Sequence, residues 1–423
     1  MIRRFFVWLH RYVGLALALF LVIEGATGSL LAFKLDLANL LDPRLVAQRP
    51  SPQAQPLDLA TLFERAEAIV PNVKVVGTWY APRDDQVSVR VEARTDPATG
   101  EPYHLDYDLM WLDPWTGNVL GWTDKLGFNE HGLVANVMPF IYELHSSLAL
   151  GQTGVWILAI VALLWTIDCY VGFYLTLPLK LESFWRRWKP AWVIKWRGGF
   201  YRVNFDLHRA GGLWFWAMLF VFAWSSVDLL DLTGSYNFVT CNLFDCQSSH
   251  EQLASVVPPD SKTGPLKLDW RAAQATGEKL MAELALRKGF KIEKALWLDR
   301  DEGVRQYIYR VRTDRWFPND RDVIMYFDAD TGAFKSLEQT KTGHSGDTLT
   351  NWLAALHLVG NPVDWLAYRI FVVIVGIVIV MLSVTGVYVW WKKRKARADR
   401  VTRESAIPPI RQGSLQTNQT TEA

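Results

Sequence analysis

Four long apolar runs divide this 423-residue chain, at 12–33, 155–178, 213–232 and 367–391. Each is long enough to cross about 30 Å of hydrocarbon as a helix rising about 1.5 Å per residue. The polar stretches between them have patterns of their own. Residues 57–70 and 268–286 read as helices, whereas VSVRVEA at 87–93 and QYIYRVR at 306–312 alternate as strands do. Two further apolar strands, in DLMWLDPWTGNVLG and DVIMYFDADTGAFKS, end on Asp-x-x-Thr-Gly. That sequence predicts a hairpin, because Gly117 and Gly332 accept the positive φ such a turn needs.

The pattern occurs twice. LHRYVGLALALF in the first half answers LHRAGGLWFWAMLF in the second, and Gly172 and Tyr174 answer Gly386 and Tyr388. Each half runs apolar span, polar α+β region, short helix bearing a histidine, apolar span. The expected fold is therefore membrane α+β: a four-helix transmembrane bundle from an internal duplication, with two small α+β modules outside. Such halves are related by a pseudo-two-fold axis along the membrane normal, which sets corresponding residues face to face at equal depth. The boundaries follow as span one to 33, module one at 34–154, span two at 155–179, a basic segment at 180–212, span three at 213–232, module two at 233–366, span four at 367–391 and a tail at 392–423, polar and disordered from 400.

Charge orients the spans. Arg3 and Arg4 precede the first, eight Lys/Arg face Glu182 and Asp206 within 180–210, and Lys392, Lys393, Arg394, Lys395 and Arg397 follow the last. These segments are expected in the cytoplasm, together with both termini. The connections 34–154 and 233–366 then lie outside; the first is acidic, with 16 Asp/Glu against nine Lys/Arg. The N-terminus is similar to a signal peptide, but its apolar run is too long and it reads as an uncleaved span. The formal net charge of +2 argues against a nucleic-acid partner.

Cys241 and Cys246, in CNLFDC, fall in the second external region, where an oxidising compartment favours a local disulfide; the alternative is two free buried thiols. Cys169 lies inside a span and reads as packing. No Cys-x-x-Cys-His occurs, which excludes covalently attached c-type haem.

The chemistry lies in the histidines. His10 and His208 open spans one and three, each followed by Arg (Arg11, Arg209) and, four residues on, by Gly (Gly14, Gly212). His145 and His357 come shortly before spans two and four, at the other face. Histidine is costly within a bilayer, and four at symmetric depths suggest ligands, against the plainer reading of interfacial residues without a ligand. Two imidazoles at each face suit two haem b groups, each closed on both sides of its iron and suited to electron transfer. Gly14, Gly212 and Gly360 either make room for a porphyrin or pack helices. Arg11 and Arg209 either pair with propionates or mark the cytoplasmic side. Glu24 shares the face of His10 near the outer half of the membrane, where it either hydrogen-bonds near the outer haem or assists proton movement, yet its duplicate position is Phe222; Asp168 is unmatched as well. His131 and His344 form another pair, expected as substrate-side residues, as alternative outer haem ligands or as solvated residues, while His104 and His250 read as surface residues.

With its paired LHR-x-x-G openings, Asp-x-x-Thr-Gly modules and V-x-x-G-x-Y closing spans, the chain resembles the PepSY-associated transmembrane family over about 1–395. Members include iron-regulated inner-membrane proteins and ferric-siderophore reductases of the FoxB type. The resemblance implies a bacterial inner membrane, periplasmic PepSY-like modules, b-type haem and one-electron reduction of ferric chelates. CNLFDC is not part of that pattern. The expectation is a dihaem reductase in which His10 and His208 hold the cytoplasmic-side haem and His145 and His357 the periplasmic one, with a ferric siderophore lodged between the modules. No nucleotide-binding motif is present, so a membrane quinol or a flavoprotein is the expected donor. Two alternatives are a membrane-anchored module that binds or inhibits a periplasmic partner without redox activity, and a siderophore transporter; neither needs ligands at two matched depths.

Overall fold

The structure, a computed structural model, describes residues 1–79, 85–123, 133–230, 234–246, 264–315, 322–339, 344–359 and 363–405. In chain order the elements are α1 (Ile2–Leu31), α2 (Lys34–Leu41), α3 (Leu59–Ile69), β1 (Val73–Thr78), β2 (Val87–Ala93), β3 (Leu109–Leu112), β4 (Val119–Thr123), α4 (Leu133–Ser147), α5 (Gln152–Thr176), α6 (Phe184–Trp188), α7 (Phe200–Trp214), α8 (Trp216–Leu229), α9 (Ser235–Leu243), α10 (Trp270–Lys288), β5 (Ile292–Asp301), β6 (Gln306–Thr313), β7 (Asp322–Asp328), β8 (Phe334–Gln339), α11 (Ser345–Leu358) and α12 (Leu366–Ser405).

Three helices, α1, α5 and α12, are each long and apolar enough to cross a membrane. Within the third apolar run, expected as a span at 213–232, lies α8, and it is joined with a bend of 69° to α7, which takes up the end of the segment expected as basic and cytoplasmic. Phe215 leaves helical geometry there, at φ −104° and ψ 6°. The adjacent Gly211 and Gly212 lie one turn earlier, and paired glycines are a usual cause of such a kink. Helices α1 and α12 cross at Gly25 and Gly376; a Cβ on Gly25 would stand 2.8 Å from the Gly376 carbonyl oxygen. Small residues let the two backbones touch, as helices in lipid require. The tail expected at 392–423 begins as helix: α12 continues through Ser405. Lys, Arg and Ala in this stretch are good helix formers, so nothing stops the span at the membrane edge. Residues 406–423 lie outside the described residues.

The two polar regions fold alike. Each is a four-stranded antiparallel meander, in the order β1-β2-β3-β4 and β5-β6-β7-β8. A helix covers each sheet, α3 the first and α10 the second, and each starts on an Asp that caps it: Asp58 accepts from Thr61 N and Asp269 from Ala272 N. The hairpins are also built alike. Asp113 Oδ1 accepts from Trp115 N and Thr116 N, and Gly117 takes φ +70°. Asp328 Oδ1 accepts from Asp330 N and Thr331 N, and Gly332 takes φ +71°. These bonds hold the Asp328 carboxyl at about 2, below its ordinary value, against the opposing effect of burial.

The two sheets share one core. Phe63 and Leu62 of α3 belong to the same buried cluster as Trp270, Met281, Leu298 and Tyr307 of the second region. Phe63 and Trp270 meet edge to face at 4.7 Å. Side chains of this size contribute about 1.5–3 kcal/mol each when fully buried. Strand β1 lies against β5, where Thr78 N donates to Asp299 Oδ1 at 2.9 Å. Gly77 is required at this seam, because a Cβ there would collide with the Asp299 carboxylate. Burial at the seam pushes the Asp299 carboxyl up to about 6, although Arg90 opposes the shift. The expected siderophore berth between the modules is therefore corrected: that seam is filled by apolar side chains and closed by hydrogen bonds.

Past each sheet the chain returns to the bundle through a histidine-bearing helix, α4 after the first and α11 after the second. Cys241 and Cys246 are joined in a disulfide beside the start of α11. There Gly346 N donates to Asp245 O at 2.7 Å, and Tyr236 of α9 bonds Thr350 at 2.8 Å.

Candidate functional site

His10 of α1 and His208 of α7 come together at the end of the bundle away from the sheets, with ring centres 6.0 Å apart. His145 of α4 and His357 of α11 come together at the sheet-bearing end, at 6.3 Å. The two layers are far apart. From His10 to Thr27, which touches His145, α1 advances seventeen residues, or about 25 Å at 1.5 Å per residue.

Every one of the four imidazoles is anchored by its Nδ1. His10 Nδ1 donates to Asp168 of α5, lying 2.9 and 3.0 Å from its two carboxylate oxygens. His208 Nδ1 donates to the Leu382 carbonyl of α12 at 2.9 Å. His145 Nδ1 lies 2.9 Å from Thr27 Oγ1 and 3.0 Å from Glu24 Oε2. His357 Nδ1 lies 2.7 Å from Ser225 Oγ. The tautomers follow from the partners. A carbonyl or carboxylate only accepts, and the Thr27 and Ser225 hydroxyls already donate to Ile23 O and Phe222 O. Nδ1 of His10 and of His208 therefore carries the proton and their Nε2 atoms keep a lone pair; the Thr27 and Ser225 hydroxyls leave the same arrangement open to His145 and His357. Among the described residues no hydrogen bond engages any of the four Nε2 atoms.

Glycines border the rings, though not chiefly the expected ones. A Cβ on Gly386 would stand 3.0 Å from His208 Cε1, one on Gly28 3.1 Å from His145 Cε1, and one on Gly172 3.5 Å from His10 Cε1. Of the glycines singled out in the sequence, Gly14 faces open space, with nothing within 4 Å of such a Cβ, and Gly212 meets only the tip of Leu382 at 3.9 Å. Gly360 lies outside the described residues. The outer layer also sits beside strained backbone. Leu148 and Ala149, just past α4, have φ of 53° and 54°, and Val359, two residues after His357, has φ 52°.

The remaining candidates are dispersed. Arg209 donates to Asp206 at 2.8 Å and to the Pro190 carbonyl at 2.6 Å, so it fastens α7 to the loop before it. Asp206, fully buried, also holds Arg202 and Lys195 N. Arg11 lines an open recess with Arg3, Arg4 and Trp8. His344 pairs with Asp245 at 2.7 Å at the start of α11, thirteen residues from His357. His104 sits on the surface with Asp106. His131 and His250 lie outside the described residues. Glu24, expected near the outer haem although its duplicate is Phe222, stands 3.0 Å from His145 Nδ1 through Oε2; Phe222 packs edge-on against His357 at 5.3 Å.

A model of the PepSY-associated TM region matches residues 7–393, all four histidines included. The chain belongs to this family. It is a membrane protein of mixed fold, with three apolar spanning helices, or four if the bent pair counts as one, and two small antiparallel sheets. No curated protein matches the chain.

Proposed function

We propose that this PepSY-associated protein is a dihaem b electron-transfer protein of the bacterial inner membrane that reduces ferric siderophores on its outer side. The observation that carries the reading is the meeting of four histidines, each held at Nδ1, as two imidazole couples at two depths, with no hydrogen bond to any of their Nε2 atoms among the described residues. The spacing suits a shared iron. With nitrogens about 2.0 Å from the metal and about 1.1 Å from their ring centres, two axial imidazoles put their centres about 6 Å apart. Among the described residues no cluster of three or more His, Cys, Asp or Glu could hold a bare metal ion. A couple of histidines therefore fits a group that brings its own equatorial ligands.

Bound haem would supply reversible one-electron chemistry with both axial positions closed. His10 and His208 would hold the inner group, His145 and His357 the outer one; Gly14 leaves room beside the inner couple. The basic segments at 180–210 and after Trp391 favour a cytoplasmic location for both termini. The Cys241–Cys246 disulfide agrees with an oxidising compartment at the sheet-bearing end. In this reading the two α+β units are PepSY-like modules related by internal duplication. With haem held by His10 and His208 and by His145 and His357, the two couples would lie between a donor on the inner side, a membrane quinol or a flavoprotein, and an acceptor on the outer side. One electron converts the chelated Fe(III) to Fe(II), which hard oxygen ligands hold far less tightly. The chelate meets the sheet-bearing end of the bundle and not the seam between the sheets.

The test begins with the purified protein, which should show a Soret band, a sharp α band on reduction and two haems per chain. His10→Ala or His208→Ala should remove one haem, and His145→Ala or His357→Ala the other. The reduced protein should be reoxidised by a ferric siderophore under anaerobic conditions. A colourless, folded preparation would overturn the reading in favour of a membrane-anchored binding module.

A further inference from the structure

Each histidine couple is chemically lopsided. In the inner couple His10 is backed by the Asp168 carboxylate, and His208 by a neutral carbonyl. In the outer couple His145 is backed by Glu24 together with Thr27, and His357 by the neutral Ser225 hydroxyl. Both carboxylates belong to the first half. The second half carries Leu382 where Asp168 stands, as Gly386 matches Gly172, and Phe222 where Glu24 stands, as His208 matches His10. No packing requirement shared by the two halves accounts for the acids.

We infer that Asp168 and Glu24 are positioning residues that grade the two sites, giving the inner couple the lower reduction potential and the outer couple the higher. The inference rests on the haem reading above. A carboxylate that accepts the Nδ1 hydrogen gives the ring imidazolate character, strengthens its Nε2 as a donor and favours ferric over ferrous iron. Its charge acts in the same direction. The two acids differ in their hold. Both oxygens of Asp168 bracket the His10 Nδ1, and Asp168 is nearly buried, its side chain 12% exposed. His145 Nδ1 is hydrogen-bonded to Thr27, while Glu24 approaches it through Oε2 as an ion-pair contact at 3.0 Å, and Glu24 Oε1 is buried with no partner among the described residues. A carboxylate that stands beside the ring without taking its hydrogen acts through its charge alone, so the outer shift is the smaller. Arg11 beside His10 opposes the inner shift, but it lines an open recess where water and salt screen it. The resulting order makes flow from the inner to the outer couple downhill.

Potentiometric titration of the purified protein tests this, with the lower midpoint assigned from the single-haem variants His10→Ala and His145→Ala. Asp168→Asn keeps an oxygen that can accept from Nδ1 but removes the charge. It should raise the lower midpoint and leave the upper one in place. Glu24→Gln should raise the upper midpoint by a smaller amount. Unmoved midpoints in a protein that still binds two haems would overturn the inference and leave the haem reading standing. A reversed order, with the inner couple higher, would overturn it equally. If Asp168→Asn loses its haem, Glu24→Gln decides: an upper midpoint that does not move overturns the inference. Failure of the wild-type protein to bind haem would instead remove the proposed function.

Discussion

Thr27 and Ser225 take the same place in the two halves: each hydroxyl lies within hydrogen-bond distance of a backbone carbonyl of its own helix and of Nδ1 of an outer-layer histidine. Each stands seventeen residues after the histidine of an LHR motif. The pair is not equivalent in consequence. His145 also has the Glu24 carboxylate 3.0 Å from its Nδ1, whereas the hydroxyl of Ser225 is the one hydrogen-bond partner of His357 among the described residues.

Ser225→Ala should therefore weaken the outer haem by about 10–100-fold in affinity, the usual cost of losing the partner that orients a ligating histidine. Thr27→Val should weaken it less. Titration of haem into apo-protein measures both, and an equal effect of the two substitutions would contradict the assigned partners.

Gly386→Ala should displace His208, because the added methyl would stand 3.0 Å from its Cε1, tighter than ordinary van der Waals contact. Gly172→Ala, where the corresponding distance is 3.5 Å, should be tolerated. Haem content should fall to about one per chain in the first variant, the usual outcome when one axial ligand is lost. It should stay near the wild-type value in the second. Loss in both would show that helix packing, not ring clearance, sets these positions.

The seam between the sheets should respond to pH. Native Asp299 keeps its proton up to about pH 6, whereas its ordinary value is 3.8. Between those values the folded protein binds more protons than the unfolded one, so stability falls as pH rises through the window. Two units correspond to roughly 1–3 kcal/mol. Thermal unfolding of the purified protein should occur at a lower temperature at pH 7 than at pH 5. Asp299→Asn should remove that part of the difference, since an amide can still accept from Thr78 N. A variant with undiminished pH dependence would assign the effect to other groups.

Reporter fusions test the orientation. Fusions near residues 100 and 260 should behave as exported and one near 190 as cytoplasmic, as the Lys/Arg distribution requires. An exported signal at 190 would reverse the electron path.

The sequence reading reached the features that repeat. Four apolar runs, two LHR openings and two Asp-x-x-Thr-Gly turns each have a counterpart, and a pattern seen twice stands above noise. It failed where the halves differ. Glu24 and Asp168 have no counterpart in the second half, and the contacts that give them a role are between helices and leave no trace in spacing. Thr27 and Ser225 were missed although their matched offset was available; a hydroxyl in a span is common enough to carry little signal alone. The bend at Phe215 was hidden by an unbroken apolar run, with Gly211 and Gly212 its one sign. The common core of the sheets was also out of reach, since an apolar helix face does not tell in sequence whether it packs on its own sheet alone or also on the other module.

The left-handed residues beside the outer histidines would mislead any laboratory selection for heat resistance. Non-glycine residues in that conformation cost of order 1 kcal/mol or more, and Val359, branched at Cβ, is the least suited of the three. Glycine at 359 would be among the first substitutions such a screen returned. It would also give the chain a hinge two residues from His357, exchanging a fixed ligand for a firmer fold. Variants ranked by melting temperature alone would then drift away from the outer site.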